Sequence, residues 1–181
     1  AGLRGQNRPD AALGLPELPL AELLRQAGYY TAAFTGGGFL ARPFDFVRGF
    51  DVFYAFPQPE PSAKGCPPDR FDGPDVFRRA SEWLRNNGPR PFFLFVHTYD
   101  VHDRCPFLPL GAAAEFGSWP RLSDAEQTKL QQHYRTLIAR TDQRVGELLE
   151  VLPAVGAGDR TLVIVTSDHG EEFEEHALTG H

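Results

Sequence analysis

An α/β domain with a largely parallel central sheet flanked by helices is the fold this sequence predicts. Residues 92–96 (Phe-Phe-Leu-Phe-Val) and 161–166 (Thr-Leu-Val-Ile-Val-Thr) are short, nearly unbroken apolar runs, the pattern of strands covered on both faces. Stretches with apolar residues at helical spacing precede each run, so strand and helix alternate along the chain. No internal repeat or low-complexity tract interrupts the alternation, and 181 residues can bury one substantial core.

Taken in order, residues 20–27 read as a short helix stopped by Gly28, and residues 31–35 as a strand running into Gly36-Gly37-Gly38. That triple glycine lacks both the G-x-G-x-x-G spacing and a following Lys-Ser or Lys-Thr, so it reads as a turn and not a phosphate loop. Residues 50–54 suit a small strand, and residues 57–68, rich in proline, a surface loop. A helix should begin near Asp72, with Pro74 tolerated in its first turn. Its apolar face is Val76, Phe77, Ala80, Trp83 and Leu84, and Asn86-Asn87-Gly88-Pro89 ends it. Ser123-Asp124-Ala125-Glu126 is a capping-box pattern. The long helix it opens carries a stripe from Leu130 through Tyr134, Leu137, Ile138, Val145, Leu148 and Leu149 to Leu152, with Pro153 as its expected stop. Asp142 reads as a structural acid inside the helix packing, and His133 as solvated.

Composition narrows the function. The formal charge is -6 with no basic cluster, which leaves no electrostatic footprint for nucleic acid. No apolar run approaches the roughly 18 residues that span a bilayer. Residues 1–9 lack the apolar core of a signal peptide, and the chain contains no Met. With Thr179-Gly180-His181 following directly on an acidic, His-rich loop, both ends read as cuts in a longer domain. Cys66 and Cys105 sit in proline-rich loops without C-x-x-C flanks and are expected as free thiols, with a disulfide as the alternative.

In parallel sheets ligands bind beyond the carboxyl ends of the strands. Here residues 92–96 lead into His97-Thr98-Tyr99-Asp100-Val101-His102-Asp103. Residues 161–166 lead into Ser167-Asp168-His169-Gly170-Glu171-Glu172, then His176 and His181. Five of the six histidines therefore fall in two loops that one sheet edge could bring together. Asp168-His169 can present a carboxylate and an imidazole to one divalent cation. Taken alone, the same residues also fit an Asp that caps the next segment beside a buried His.

Ser167 through His176, closing at Gly180-His181, closely resembles a motif of the sulfatase family, part of the alkaline-phosphatase-like superfamily. Residues 21–34 are similar to the helix–strand unit that follows that family's nucleophile region. Gly49-Phe50-Asp51-Val52-Phe53-Tyr54 resembles its G-F-D-x-F-Y segment, and residues 91–103 its P-F-F-L-x-V-H-x-x-D-P-H-D-P-Y strand and loop. Tyr134, Ile138, Asp142 and Gly146 fall where its long helix precedes the metal strand. The resemblance covers most of the chain, and it implies an alkaline-phosphatase-like sandwich, here a single partial catalytic domain, incomplete at both ends.

By that resemblance Asp168 and His169 are metal ligands, usually of calcium; the imidazole makes manganese or zinc conceivable. Two further acidic ligands and the C-x-P-S-R or S-x-P-S-R motif, whose Cys or Ser becomes formylglycine, are expected ahead of Ala1. His102 matches the His that approaches the sulfate group, although Val101 replaces the usual Pro and Arg104-Cys105 interrupt the D-P-Y ending. Read from the residues alone, His102 is either such a donor or a solvated loop His. His181 falls where the family carries a Lys or His facing the sulfate. His97 either reaches the site or points into the core, and His176 has no assignment. Glu171, Glu172, Glu174 and Glu175 read as an exposed acidic loop, one of which could support the metal ligands.

The function implied is hydrolysis of a small-molecule or carbohydrate sulfate monoester. Phosphate- or phosphonate-ester hydrolysis, or phosphoglycerol-type transfer, by a relative of the same superfamily is the second reading. A non-catalytic binding domain is the third. The 181 residues by themselves are expected to bind metal weakly and to show no turnover. A periplasmic or extracellular setting rests on the resemblance alone.

Overall fold

The computed structural model describes residues 18–42, 45–57, 72–103, 122–173 and 179–180. Nine regular elements follow in chain order: α1 (Leu20–Gln26), β1 (Tyr30–Thr35), β2 (Val52–Ala55), α2 (Gly73–Asn87), β3 (Phe92–Val96), α3 (Asp124–Leu149), α4 (Val151–Ala154), β4 (Glu172–Phe173) and β5 (Thr179–Gly180). The first three strands form one parallel sheet in the order β2-β1-β3, which is the expected α/β architecture. Proline-rich residues 58–71, Cys66 among them, and residues 104–121, which include Cys105, lie outside the described residues, so the thiol expectation is not addressed.

The centre of the sheet is β1. Ala32 and Ala33 are fully buried, as are Thr31 and Thr35. Small side chains let the covering layers approach closely, and the threonines satisfy their hydroxyls locally: Thr31 Oγ1 donates to Gly49 O (2.8 Å) and Thr35 Oγ1 to Leu40 O (2.9 Å). On one side α2 packs the face predicted for it, burying Val76, Phe77, Ala80, Trp83 and Leu84. Trp83 stacks on Tyr30 (5.5 Å) and meets Phe92 edge-on (6.0 Å), which welds α2 to β1 and β3.

The Gly49-Phe50-Asp51 segment serves the fold. Gly49 has φ +88°, and a Cβ there would lie 2.3 Å from the Glu22 backbone nitrogen of α1. Asp51 accepts the Thr31 N–H at 3.0 Å, pinning β2 to β1, and Phe50 stacks on Phe93 at 5.9 Å. Gly49→Ala is expected to lower unfolding stability by at least about 1–3 kcal/mol through the positive φ alone, with the clash against α1 adding to it. A denaturant midpoint equal to that of the parent would contradict this.

The Ser123–Glu126 capping box forms as predicted and opens α3. Of its stripe, Leu130 and Leu137 are buried and Leu148 and Leu149 pack on the core, whereas Ile138 is 43% exposed. The helix ends at Leu149, earlier than the expected stop at Pro153. Pro153 instead sits within the short α4, because its ring excludes the carbonyl four residues back, that of Leu149, from a continuous helix.

Two expectations about the sheet are corrected. β3 is half-buried throughout and lies at an edge of the three strands, leaving the central place to β1. Residues 161–166 make no strand ladder among the described residues, and Leu162 (85%), Ile164 (77%) and Val165 (72%) are exposed. An apolar run becomes a central strand only where a neighbouring edge and two covering layers receive it. Among the described residues nothing pairs with this segment. Asp168 at its carboxyl end nevertheless lies within electrostatic reach of His97, the residue after β3.

Candidate active site

The loop after β3 is held from several sides. Its Thr98 hydroxyl donates to Asp72 Oδ1 (2.7 Å), and the Tyr99 N–H donates to Asp72 Oδ2 (3.0 Å). Asp72 occupies the N-cap position of α2 but turns its carboxylate away from that helix onto the loop. It rests on Gly36, where a Cβ would lie 1.7 Å from Asp72 Oδ2; the triple-glycine turn therefore makes room for this acid. Asp100, 2% exposed, accepts the Gly73 N–H (2.9 Å) through Oδ1 and pairs with Arg144 of α3 (2.7 Å) through Oδ2. Residues Asp100–His102 then form one 3-10 turn.

Asp72 and Asp100 are neighbouring buried acids. Burial and the hydrogen bond with Asp100 push the Asp72 pKa up to about 7, against the opposing pull of Thr98 and Tyr99. A carboxyl raised in the folded state adds stability below its ordinary pKa, and that contribution disappears as pH rises through about 7. Asp72→Asn, which keeps an acceptor for Thr98 and Tyr99 and stays neutral, should therefore flatten the stability profile between about pH 4 and pH 7. Thermal midpoints across that range test it; a variant that retains the whole parental slope would place the titration elsewhere.

The second loop meets the first. His102 Nδ1 lies 4.0 Å from Glu171 Oε2, whose side chain is only 8% exposed. Glu171 is thus not part of an open acidic loop, as the sequence suggested, but faces the candidate donor. His97 is half-buried, its ring edge-on to Tyr99 (4.5 Å). Burial lowers the His97 pKa against the attraction of Asp168, so the imidazole is neutral and within electrostatic reach of that carboxylate. Its Nδ1 is buried with no hydrogen-bond partner among the described residues. His97 thus sits half-buried at the strand end, close enough to the second loop to feel the Asp168 carboxylate.

Asp168 is 89% exposed at its side chain and 3.6 Å from His169 Nε2. Slight desolvation raises its pKa, but hydrogen bonds from its own and the His169 backbone, with the nearby imidazoles, leave it lowered and ionised. His169 Nδ1 lies 2.7 Å from Gly170 O, an acceptor, so Nδ1 carries a proton and in the neutral ring the lone pair falls on Nε2. A carboxylate and an imidazole lone pair on one turn fit a divalent cation as two donors. Calcium needs six to eight oxygens, and among the described residues no group of three or more His, Cys, Asp or Glu converges on one point. The pair by itself offers two donors.

His181 and His176 lie outside the described residues. β4 and β5 pair antiparallel, with Gly180 opposite Glu172. Two expectations about α3 are corrected: His133 is not merely solvated but bonds Asp103 (3.0 Å), and Asp142 is exposed while Arg144 supplies the inward contact. Asp72 and Arg144 were not picked out as site residues by sequence, and Glu171 was named only as one of four acids in five residues. One further sequence signal, Cys66-Pro67-Pro68-Asp69-Arg70, shares Cys, Pro and Arg with C-x-P-S-R. It carries Asp69 for Ser and follows the residue 21–34 unit instead of preceding it, so its order departs from the family's.

The sulfatase family model matches residues 3–181. The chain belongs to the sulfatase family. Among curated relatives, this sulfatase-family chain is 38% identical over 64 residues to the multifunctional alkaline phosphatase superfamily protein PehA of Trinickia caryophylli, covering 35% of the chain and 12% of the relative. It is 32% identical over 101 residues to steryl-sulfatase of Rattus norvegicus, covering 56% of the chain and 15% of the relative. With arylsulfatase K of Bos taurus it shares 23% identity over 140 residues, 75% of the chain and 23% of the relative. It thus spans less than a quarter of the length of each of these three. The parallel sheet flanked by helices agrees with the sulfatase fold, and among the described residues no helix is long and apolar enough to cross a membrane.

Proposed function

We propose that this chain is part of the catalytic domain of a sulfuric ester hydrolase acting on sulfate monoesters of a small molecule or carbohydrate. The observation that carries the reading is the meeting of the two loops: His102 against Glu171, and His97 within reach of Asp168, in a chain of the sulfatase family.

Asp168 and His169 would hold a divalent cation, calcium by family habit, with ligands from outside residues 1–181 completing the shell. When bound, such a cation polarises an ester oxygen. The protein's own side chains supply the rest. His102, half-exposed beside Glu171, is placed to donate a proton or hydrogen bond where charge develops on the leaving oxygen. Glu171 attracts the imidazolium form and helps to orient it. Neutral His97 lines the strand end as a further polar contact. The formylglycine nucleophile belongs, in this reading, to sequence outside this chain, and His181 is a further candidate for the sulfate by its position in the motif.

A second reading is hydrolysis of a phosphate or phosphonate ester. The name of the relative PehA, a multifunctional alkaline phosphatase superfamily protein, favours it. Turnover of an aryl sulfate and of the matching aryl phosphate by the full-length protein separates the two. Preference for the sulfate is expected. Faster cleavage of the phosphate would install the second reading, and cleavage of neither would leave a binding domain.

A further inference from the structure

We propose that Arg144 and His133 of α3 are positioning residues that together hold the His102 turn in catalytic alignment with the Asp168–Glu171 loop. The proposal rests on the reading above, in which His102 touches the reacting group.

The two anchors flank His102 closely. Arg144 Nη1 grips Asp100, two residues before it, at 2.7 Å. His133 Nε2 grips Asp103, the residue after it, at 3.0 Å. Between them the turn is closed by its own backbone, with His102 N–H donating to Tyr99 O (2.8 Å) and Asp103 N–H to Asp100 O (3.3 Å). A 3-10 turn this short has little stiffness of its own, so the orientation of its last side chain is set by what fixes its two ends.

Positions 133 and 144 are eleven apart, about three helical turns, so both lie on nearly one face of α3. The same helix touches the second loop through Tyr134, whose ring meets that of Phe173 at 5.2 Å. One rigid helix therefore contacts both loops that must face each other. Both contacts are substantially covered: the side-chain exposures are 23% and 1% for Arg144–Asp100, and 21% and 10% for His133–Asp103. Covered pairs hold geometry in a way that solvated surface pairs do not.

A purely structural role predicts lost stability without a change specific to His102. A positioning role predicts that the loss runs through His102, and a double-mutant cycle in the full-length protein tells them apart. Arg144→Gln is expected to lower kcat for an aryl sulfate on the order of 10²-fold with KM little changed, as a displaced catalytic group does. Arg144→Lys should restore part of it. In a His102→Ala background, Arg144→Gln should cost nothing further. Ring resonances of 13C-labelled His102 should shift in Arg144→Gln and in the milder His133→Gln, which serves if the first variant folds poorly. Additive losses in the cycle, or parental His102 resonances in both variants, would overturn the proposal. Should His102→Ala alone leave turnover unchanged, the catalytic reading fails, while the resonance shifts still decide whether α3 orients the imidazole.

Discussion

His102→Ala in the full-length protein is expected to reduce turnover of a generic aryl sulfate by about 10²–10⁴-fold while leaving bound metal unchanged. The size follows from its proposed role as a group that donates where charge develops, and the specificity from its place. It lies on the loop after β3, with its Nδ1 4.0 Å from Glu171 Oε2. Steady-state kinetics beside metal analysis of the same preparation measure both halves. Full turnover in the variant would remove His102 from the chemistry.

Asp168→Ala should have the complementary effect, the loss of metal and, with it, of turnover. Its carboxylate is ionised and highly exposed, on a turn whose next residue presents an imidazole lone pair. Removing one charge from a site where few donors converge should weaken cation binding by well over an order of magnitude, about the cost of losing even a supporting partner of a metal ligand. Full metal occupancy in Asp168→Ala would make the residue a loop acid. The contrast matters more than either result, because a general loss of structure would abolish both properties in both variants.

How much of this was legible in the sequence depended on whether the signal was local. The α2 face from Val76 to Leu84 and the Ser123–Glu126 capping box were readable because each element is specified by residues a few positions apart. The parallel α/β class was readable from the alternation of those elements. The identity of the central strand was not. Residues 161–166 are the more apolar run, yet the Thr-Ala-Ala core of β1 occupies the centre, because tight packing there favours small side chains over large ones.

The candidate site divides in the same way. Asp168, His169 and His102 stood out as candidates because they sit within short motifs that resemble the sulfatase family. The network that holds the loop carrying His102 was hidden, since its partners are far apart in sequence. Asp72 reaches Tyr99 across 27 positions and Arg144 reaches Asp100 across 44. His133 looked like a surface residue on an exposed helix face until Asp103 was placed opposite it. Glu171 was masked by its acidic neighbours, and only the fold shows that its side chain turns inward.

The central claim is that the loops after β3 and after residues 161–166 form one cation-competent site. Manganese titrated into the 15N-labelled chain tests it most directly, because a paramagnetic ion broadens every amide near it. Asp168 and His169 should broaden first, at the high metal concentrations that a partial shell requires, and His97 to Asp103 should follow at the same site. Broadening that leaves the loop after β3 untouched, or that settles on acids elsewhere while Asp168 and His169 stay sharp, would contradict the account.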